Sequence, residues 1–142
     1  MGDVRVQRAR IEEIRPLADE YRAESSGLSA DGLPWDPPIP QGGIFWIALD
    51  ADDREPLGYA AGTLRPSGCT VGPVFTRPSA RRRGVGDALV TAIQSWARDT
   101  RVPVVEISVA ADNPQGRAFL ESLGYVPRRI LMSLTPGERD AT

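Results

Sequence analysis

Val74-Phe75-Thr76-Arg77-Pro78-Ser79-Ala80-Arg81-Arg82-Arg83-Gly84-Val85-Gly86 runs from an apolar strand through a basic turn into the start of a helix. A helix start leaves about four backbone N–H groups without acceptors, and the macrodipole makes that end positive. Phosphate binds well at such an end. Gly84 and Gly86 let the backbone approach an anion with no Cβ in the way, and the guanidinium forks of Arg81, Arg82 and Arg83 suit phosphate oxygens. The same letters also describe a solvated basic turn closed by its glycines. The position between strand and helix is what favours an anion site. It is not a nucleotide P-loop, because no Lys-Ser or Lys-Thr follows the glycines, and it lacks the parallel βαβ frame of a dinucleotide fingerprint.

Working outward, Cys69 to Thr76 reads as a strand whose Gly72-Pro73 marks an edge, a bulge or a place where strands separate. Leu57 to Leu64 is another, and the continuous apolar run Ile44 to Leu49 reads as a buried one. Together these form an antiparallel meander. Residues 25 to 43, rich in Ser, Gly and Pro, are expected to form a long loop of the kind that often serves function. Before it, Val4 and Val6 suggest a short strand, and Ile11, Ile14, Leu17, Ala18 and Tyr21 give an amphipathic helix over about 10 to 24.

Beyond the turn, Val85, Ala88, Leu89, Ala92, Ile93 and Trp96 form a helical stripe over about 84 to 98. Val104, Val105, Ile107 and Val109 then predict a strand. Asn113 before Pro114 suits a helix N-cap, and Gly124 suits the C-terminal end of that helix. Val126, Ile130, Met132 and Leu134 predict a final strand. The order is β-α-β-β-β-α-β-α-β, an α/β fold with a mixed sheet. It is read as one domain over 1–142, its core about 3–134 and a short polar tail over 135–142.

The composition narrows the function classes. A chain of 142 residues with 41% hydrophobic and 25% charged residues can close one core without staples. Its formal charge of -2 argues against a dedicated nucleic-acid binder, yet Arg77, Arg81, Arg82 and Arg83 cluster within seven residues. A basic spot on an acidic chain fits a small anionic ligand better than a polyanion. With no histidine and the single Cys69, neither a disulfide framework nor a metal-binding cluster is expected. No apolar run approaches the roughly 20 residues that span a bilayer, and no signal-peptide core is present, so no membrane partner and a cytoplasmic location are expected.

The turn resembles the acetyl-CoA motif of the GNAT acetyltransferase superfamily: Pro78, Arg81, Gly84 and Gly86 fall in register with it. Asn113 and Leu123-Gly124-Tyr125 match a second signature of that family. The resemblance spans about residues 3 to 134, with specific motifs from 74 to 126. It implies helices on both faces of the sheet, and a splay between two central parallel strands, which Gly72-Pro73 accompanies. It implies acetyl-CoA as co-substrate, no metal, and direct transfer of acetyl to a primary amine of a small molecule or protein. The backbone of Val74, Phe75 and Thr76 would pair with the pantetheine arm, with Thr76 N–H as oxyanion donor. The amides of Arg82, Arg83, Gly84, Val85, Gly86, Asp87 and Ala88 would hold the pyrophosphate together with Arg81, and Asn113 would touch the cofactor at the splay. The plain alternative for Asn113 is a helix cap. A homodimer is admitted, with nothing in the sequence marking its interface.

Two departures concern proton transfer. Many relatives place a Glu on the strand that leads into the motif, but Cys69 to Thr76 holds no acid. Glu106 on the neighbouring strand is the remaining candidate for general base, with an outward-facing strand residue as the bland reading. Many relatives also carry a Tyr that protonates the leaving thiolate where this chain has Leu120; water, an unaided thiolate or Tyr59 are the substitutes. Asp31 and Asp36 beside Trp35 could attract a cationic amine. Cys69 reads as a small core residue. The competing reading is a non-catalytic acyl-CoA-binding sensor of the same fold.

Overall fold

The computed structural model describes residues 2–25, 39–40, 42–109, 111, 113–134 and 136. Strands β1 (Val4–Ala9), β2 (Ile44–Asp50), β3 (Pro56–Arg65), β4 (Gly68–Thr76) and β5 (Val105–Ile107) form one sheet in that order. Pairing is antiparallel except between β4 and β5, which is parallel. Helix α1 (Ile11–Ser25) links β1 to the segment before β2, and α2 (Val85–Asp99) crosses from β4 to β5. The chain divides into two compact units, Met1–Ser108 and Val109–Thr142; α3 (Pro114–Ser122) belongs to the second. Among the described residues no helix is long and apolar enough to cross a membrane.

The apolar run of β2 is buried on both faces because a helix covers each. On one face Trp46, Ala48, Leu57, Ala60, Cys69 and Val71 pack with Val85, Leu89 and Ile93 of α2. On the other, Phe45, Ile47, Tyr59, Ala61 and Phe75 pack with Ile14, Leu17 and Ala18 of α1. Leu89 and Ile93 are fully buried, each contributing about 2–3 kcal/mol of transfer free energy. This is the helical spacing of both stripes turned into two half-cores.

Gly72-Pro73 breaks the ladder on both sides of β4. Toward β3, Gly62 pairs with Val71 and Ala60 with Val74, so two residues of β4 stand opposite Ala61 alone. That is a bulge, and it inverts the strand's alternation. Cys69 and Val71 face α2, whereas Phe75 faces α1. Toward β5, pairing covers only Cys69–Val71 against Val105–Ile107 and stops at the same point. Pro73, in a cis bond after Gly72, has no N–H to continue it.

Three expectations change. The strand drawn from Val104 to Val109 shortens to three residues. The final strand is not formed: 126–134 is irregular, and Val126, Ile130, Leu131, Met132 and Leu134 are exposed by 69–92%. An alternating pattern forms a strand only when a neighbour accepts its hydrogen bonds, and Pro127 removes one donor besides. Among the described residues the parallel pair therefore sits at the sheet edge rather than at its centre. Most of the loop over 25 to 43, with Asp31, Trp35 and Asp36, lies outside the described residues.

Candidate active site

The bulge positions the site's first part. Arg77 N–H donates to Leu57 O of β3 at 2.9 Å. Backbone groups alternate along a strand, so Phe75 also faces β3, while Val74 and Thr76 turn theirs to the side that β5 has left. Of the three residues expected to meet the cofactor arm, Phe75 instead anchors the strand. Its ring is buried between Tyr21 and Tyr59, with centroids at 5.4 and 6.1 Å.

A single 3-10 turn over Pro78–Ala80 then leads to the basic turn. Arg82 and Gly84 have φ of +68 and +78°, with Arg83 between them in the ordinary negative region. Alternation of hand is the backbone requirement of an anion nest, in which successive amides turn to one concave side. Gly84 immediately precedes α2 and offers no side-chain cap. From Arg82 to Asp87, no amide meets an acceptor among the described residues. Ala88 differs from the expectation: its N–H closes the first turn of α2 on Gly84 O at 3.0 Å. The open set ends at Asp87.

The arginine side chains do not form a free basic patch. Arg77 Nε reaches Glu20 at 3.1 Å and its Nη1 reaches Glu55 at 3.4 Å and Pro56 O at 3.1 Å. Arg81 pairs with Glu24 at 2.5 Å, across the surface. Arg83 turns inward, donating to Asp50 Oδ2 at 2.7 Å and Gly2 O at 2.6 Å. Arg82 is exposed and has no ionic partner among the described residues. Attraction for an anion thus comes mainly from the amides, the dipole of about half a charge at the start of α2, and Arg82.

Glu106 is half-buried on β5, opposite Thr70. Val105 and Ile107 pack against the α2-side core, so alternation turns Glu106 to the α1 side. At about 3.3 Å per residue, the Thr70 level lies about 20 Å along β4 from Thr76 and about 13 Å from Val74. Thr76 and Glu106 therefore cannot both act on one carbonyl.

The other candidates have structural places. Asn113 caps α3, its Oδ1 accepting Gly116 N–H at 3.0 Å, which is the plain alternative foreseen for it. Gly124, with φ +97°, ends α3. Cys69 is buried, and desolvation pushes its thiol up, away from the reactive thiolate. Tyr59 is buried in the α1-side core, and burial raises its hydroxyl far above the usual range. It is a poor proton donor. The pairing of Arg83 with Asp50 and the left-handed Arg82 escaped sequence reasoning, because no local pattern marks a partner 33 residues away.

The GNAT acetyltransferase family model matches residues 11–125. Aminoglycoside N(6')-acetyltransferase type 1 of Klebsiella aerogenes is 46% identical over 56 residues, covering 34% of this chain and 37% of that enzyme. Two solved structures share the fold. A putative acetyl transferase from Pyrococcus furiosus superposes with a TM-score of 0.69 at 20% identity, over 92% of this chain and 99% of the other. The aminoglycoside N-acetyltransferase AAC(6')-Iy in complex with CoA gives 0.67 at 17% identity, over 96% and 97%.

Proposed function

The chain belongs to the GNAT acetyltransferase family and is an acyltransferase, and on that premise we propose that it transfers acetyl from acetyl-CoA directly to a primary amine. The observation that carries this is two sets of backbone groups with no acceptor among the described residues: Val74 and Thr76 on the open edge of β4, and, past the 3-10 turn, the amides of Arg82 to Asp87. An extended arm ending in a diphosphate fits these two sets in turn, so the residues present suit coenzyme A. The family match crosses both compact units, which supports reading them as one acetyltransferase domain.

When bound, acetyl-CoA supplies an activated thioester, so no side-chain nucleophile is needed. The residues of this chain divide the remaining work. Amides from Arg82 to Asp87 hold the diphosphate end, and Arg82 adds charge. Thr76 orients the arm. Val74 N–H, nearer the mouth of the splay, replaces Thr76 as the donor to the carbonyl oxygen where charge develops. Glu106 accepts the amine proton through water; the amine and its water bridge the distance that its side chain leaves. A C–N bond forms, the C–S bond breaks, and the thiolate takes its proton from water, since Leu120 offers none.

The test is a melting curve with acetyl-CoA, followed by thiol release over a panel of amines that includes aminoglycosides. A raised melting temperature and release with at least one amine are expected. An unshifted melt would overturn the reading, and a shift without release from any amine would favour the sensor. The homodimer finds support in the exposed apolar run Val126, Ile130, Leu131, Met132 and Leu134. At about 100 Å² of side chain each, these five residues offer roughly 500 Å² toward the 800 Å² per partner of a standard interface. Sedimentation should show a second copy bound, and Leu131→Asp with Met132→Asp should give monomers.

A further inference from the structure

Asp50, the last residue of β2, is an almost fully buried carboxylate for which direct acetyl transfer has no use. Its Oδ1 accepts the amides of Asp52 at 2.9 Å and Asp53 at 3.3 Å. Its Oδ2 accepts Gly2 N–H at 3.1 Å and Arg83 Nη2 at 2.7 Å. The Arg83 guanidinium and these amides hold the carboxyl well below the usual carboxylate range, so it is charged at any working pH. Arg83 Nη2 also donates to Gly2 O at 2.6 Å, and its side chain is mostly buried. An arginine in the middle of an anion-binding turn therefore spends its charge inward.

The turn needs such a hold. Arg82 sits at φ +68°, a region that costs a non-glycine residue of order 1–3 kcal/mol and persists only where the surroundings over-determine it. Arg82 itself has no ionic partner among the described residues to fix it, and Gly84 on the far side is the most permissive residue of all. Between these two sits Arg83, tied at its side-chain tip to two points of the sheet end. We propose that Asp50 is a positioning residue for the anion-binding turn: through Arg83 it holds the alternating hand of Arg82–Arg83–Gly84, so that their amides converge on one diphosphate. This deepens the acetyl-CoA reading above and rests on it.

A purely electrostatic account makes the opposite prediction. If Asp50 merely neutralised Arg83, removing its charge would free a guanidinium beside the phosphates and tighten binding. Calorimetric titration with coenzyme A and with pantetheine, which lacks the diphosphate, separates the two. Wild type should prefer coenzyme A strongly. Asp50→Asn should lower affinity for coenzyme A about tenfold or more and leave pantetheine unchanged, so the preference shrinks. Arg83→Lys, which keeps the charge on a side chain ending one bond short of the Nη2 that holds both Asp50 and Gly2 O, should do the same. It decides the matter alone if a melting curve shows that Asp50→Asn does not fold. An unchanged preference, a tighter complex with Asp50→Asn, or equal losses for both ligands overturns the positioning role. A wild type with no preference for coenzyme A sinks the diphosphate reading itself, and this inference with it.

Discussion

Gly84 tests whether backbone hand, rather than side-chain charge, makes the anion site. A Cβ built there meets nothing within 4 Å, so alanine costs conformation and not space. A left-handed alanine costs about 1–2 kcal/mol. At roughly 3–4 °C per kcal/mol for a chain of this size, Gly84→Ala should lower the melting temperature by roughly 3–8 °C. Relaxation to negative φ would relieve that cost but end the alternation at Arg82–Gly84 and scatter the amides. Hydrogen bonds to a charged group are worth about 1.5–3 kcal/mol each, so at the low end of that range losing two weakens coenzyme A by roughly a hundredfold. Melts at one hundred times the wild-type Kd make this visible. Wild type gains about 2.7 kcal/mol, or roughly 8–11 °C, and the alanine variant about 0.4 kcal/mol, or roughly 1–2 °C. Asparagine tolerates the left-handed region, so Gly84→Asn should recover much of both effects. An alanine variant that binds like wild type, or an asparagine variant no better than alanine, would refute the reasoning.

Gly58→Ala would place a Cβ 2.3 Å from Phe75 O and 3.0 Å from Val85 Cγ1, in the middle of the sheet. The Phe75 carbonyl belongs to the paired strand and cannot yield cheaply, so a loss of about 2–3 kcal/mol is expected in a urea titration; a change under about 1 kcal/mol would mean the β3–β4 spacing is not as described. The depressed Asp50 carboxyl contributes stability that is fully present above the unfolded value of about 3.9 and is lost as pH falls through its lower folded value. Melts of wild type and Asp50→Asn should therefore differ most near neutrality and converge below about pH 4. A gap that stays constant down to pH 2 would count against the burial and pairing of Asp50.

Local periodicity carried most of the fold. The two amphipathic helices begin and end within a residue or so of where their apolar stripes do, and Asn113 and Gly124 cap α3 as their chemistry suggests. Gly72-Pro73 marked the splay because a missing N–H and a missing Cβ are themselves local facts. What failed to show in the sequence is what depends on distant partners. The arginines look free because Glu20, Asp50 and Glu24 lie 57, 33 and 57 residues from their mates. Ile130, Met132 and Leu134 alternate like a strand, but a strand is a relation between two segments. Phe75 looked like an equal member of the cofactor edge, and only the bulge decides which residues face which way.

The same pairing of charges bears on how the enzyme reacts. With Arg77, Arg81 and Arg83 each bound to a carboxylate, the turn is close to neutral before any ligand arrives, and its affinity rests on fixed dipoles. Fixed dipoles are oriented before the diphosphate arrives, so little binding energy goes into ordering the turn. Proton transfer is less well provided for: β4 carries no acid, Tyr59 is buried, the Cys69 thiol is pushed up, and the expected phenol position is Leu120. A positioned acid contributes typically 10²–10⁴-fold, so the mechanism we propose rests on orientation, the Val74 oxyanion donor and Glu106 acting through water. That ordering favours acceptors whose amines are already partly neutral near pH 7 over a lysine-like amine with a pKa of about 10.4, because the former arrive with less of a proton to remove.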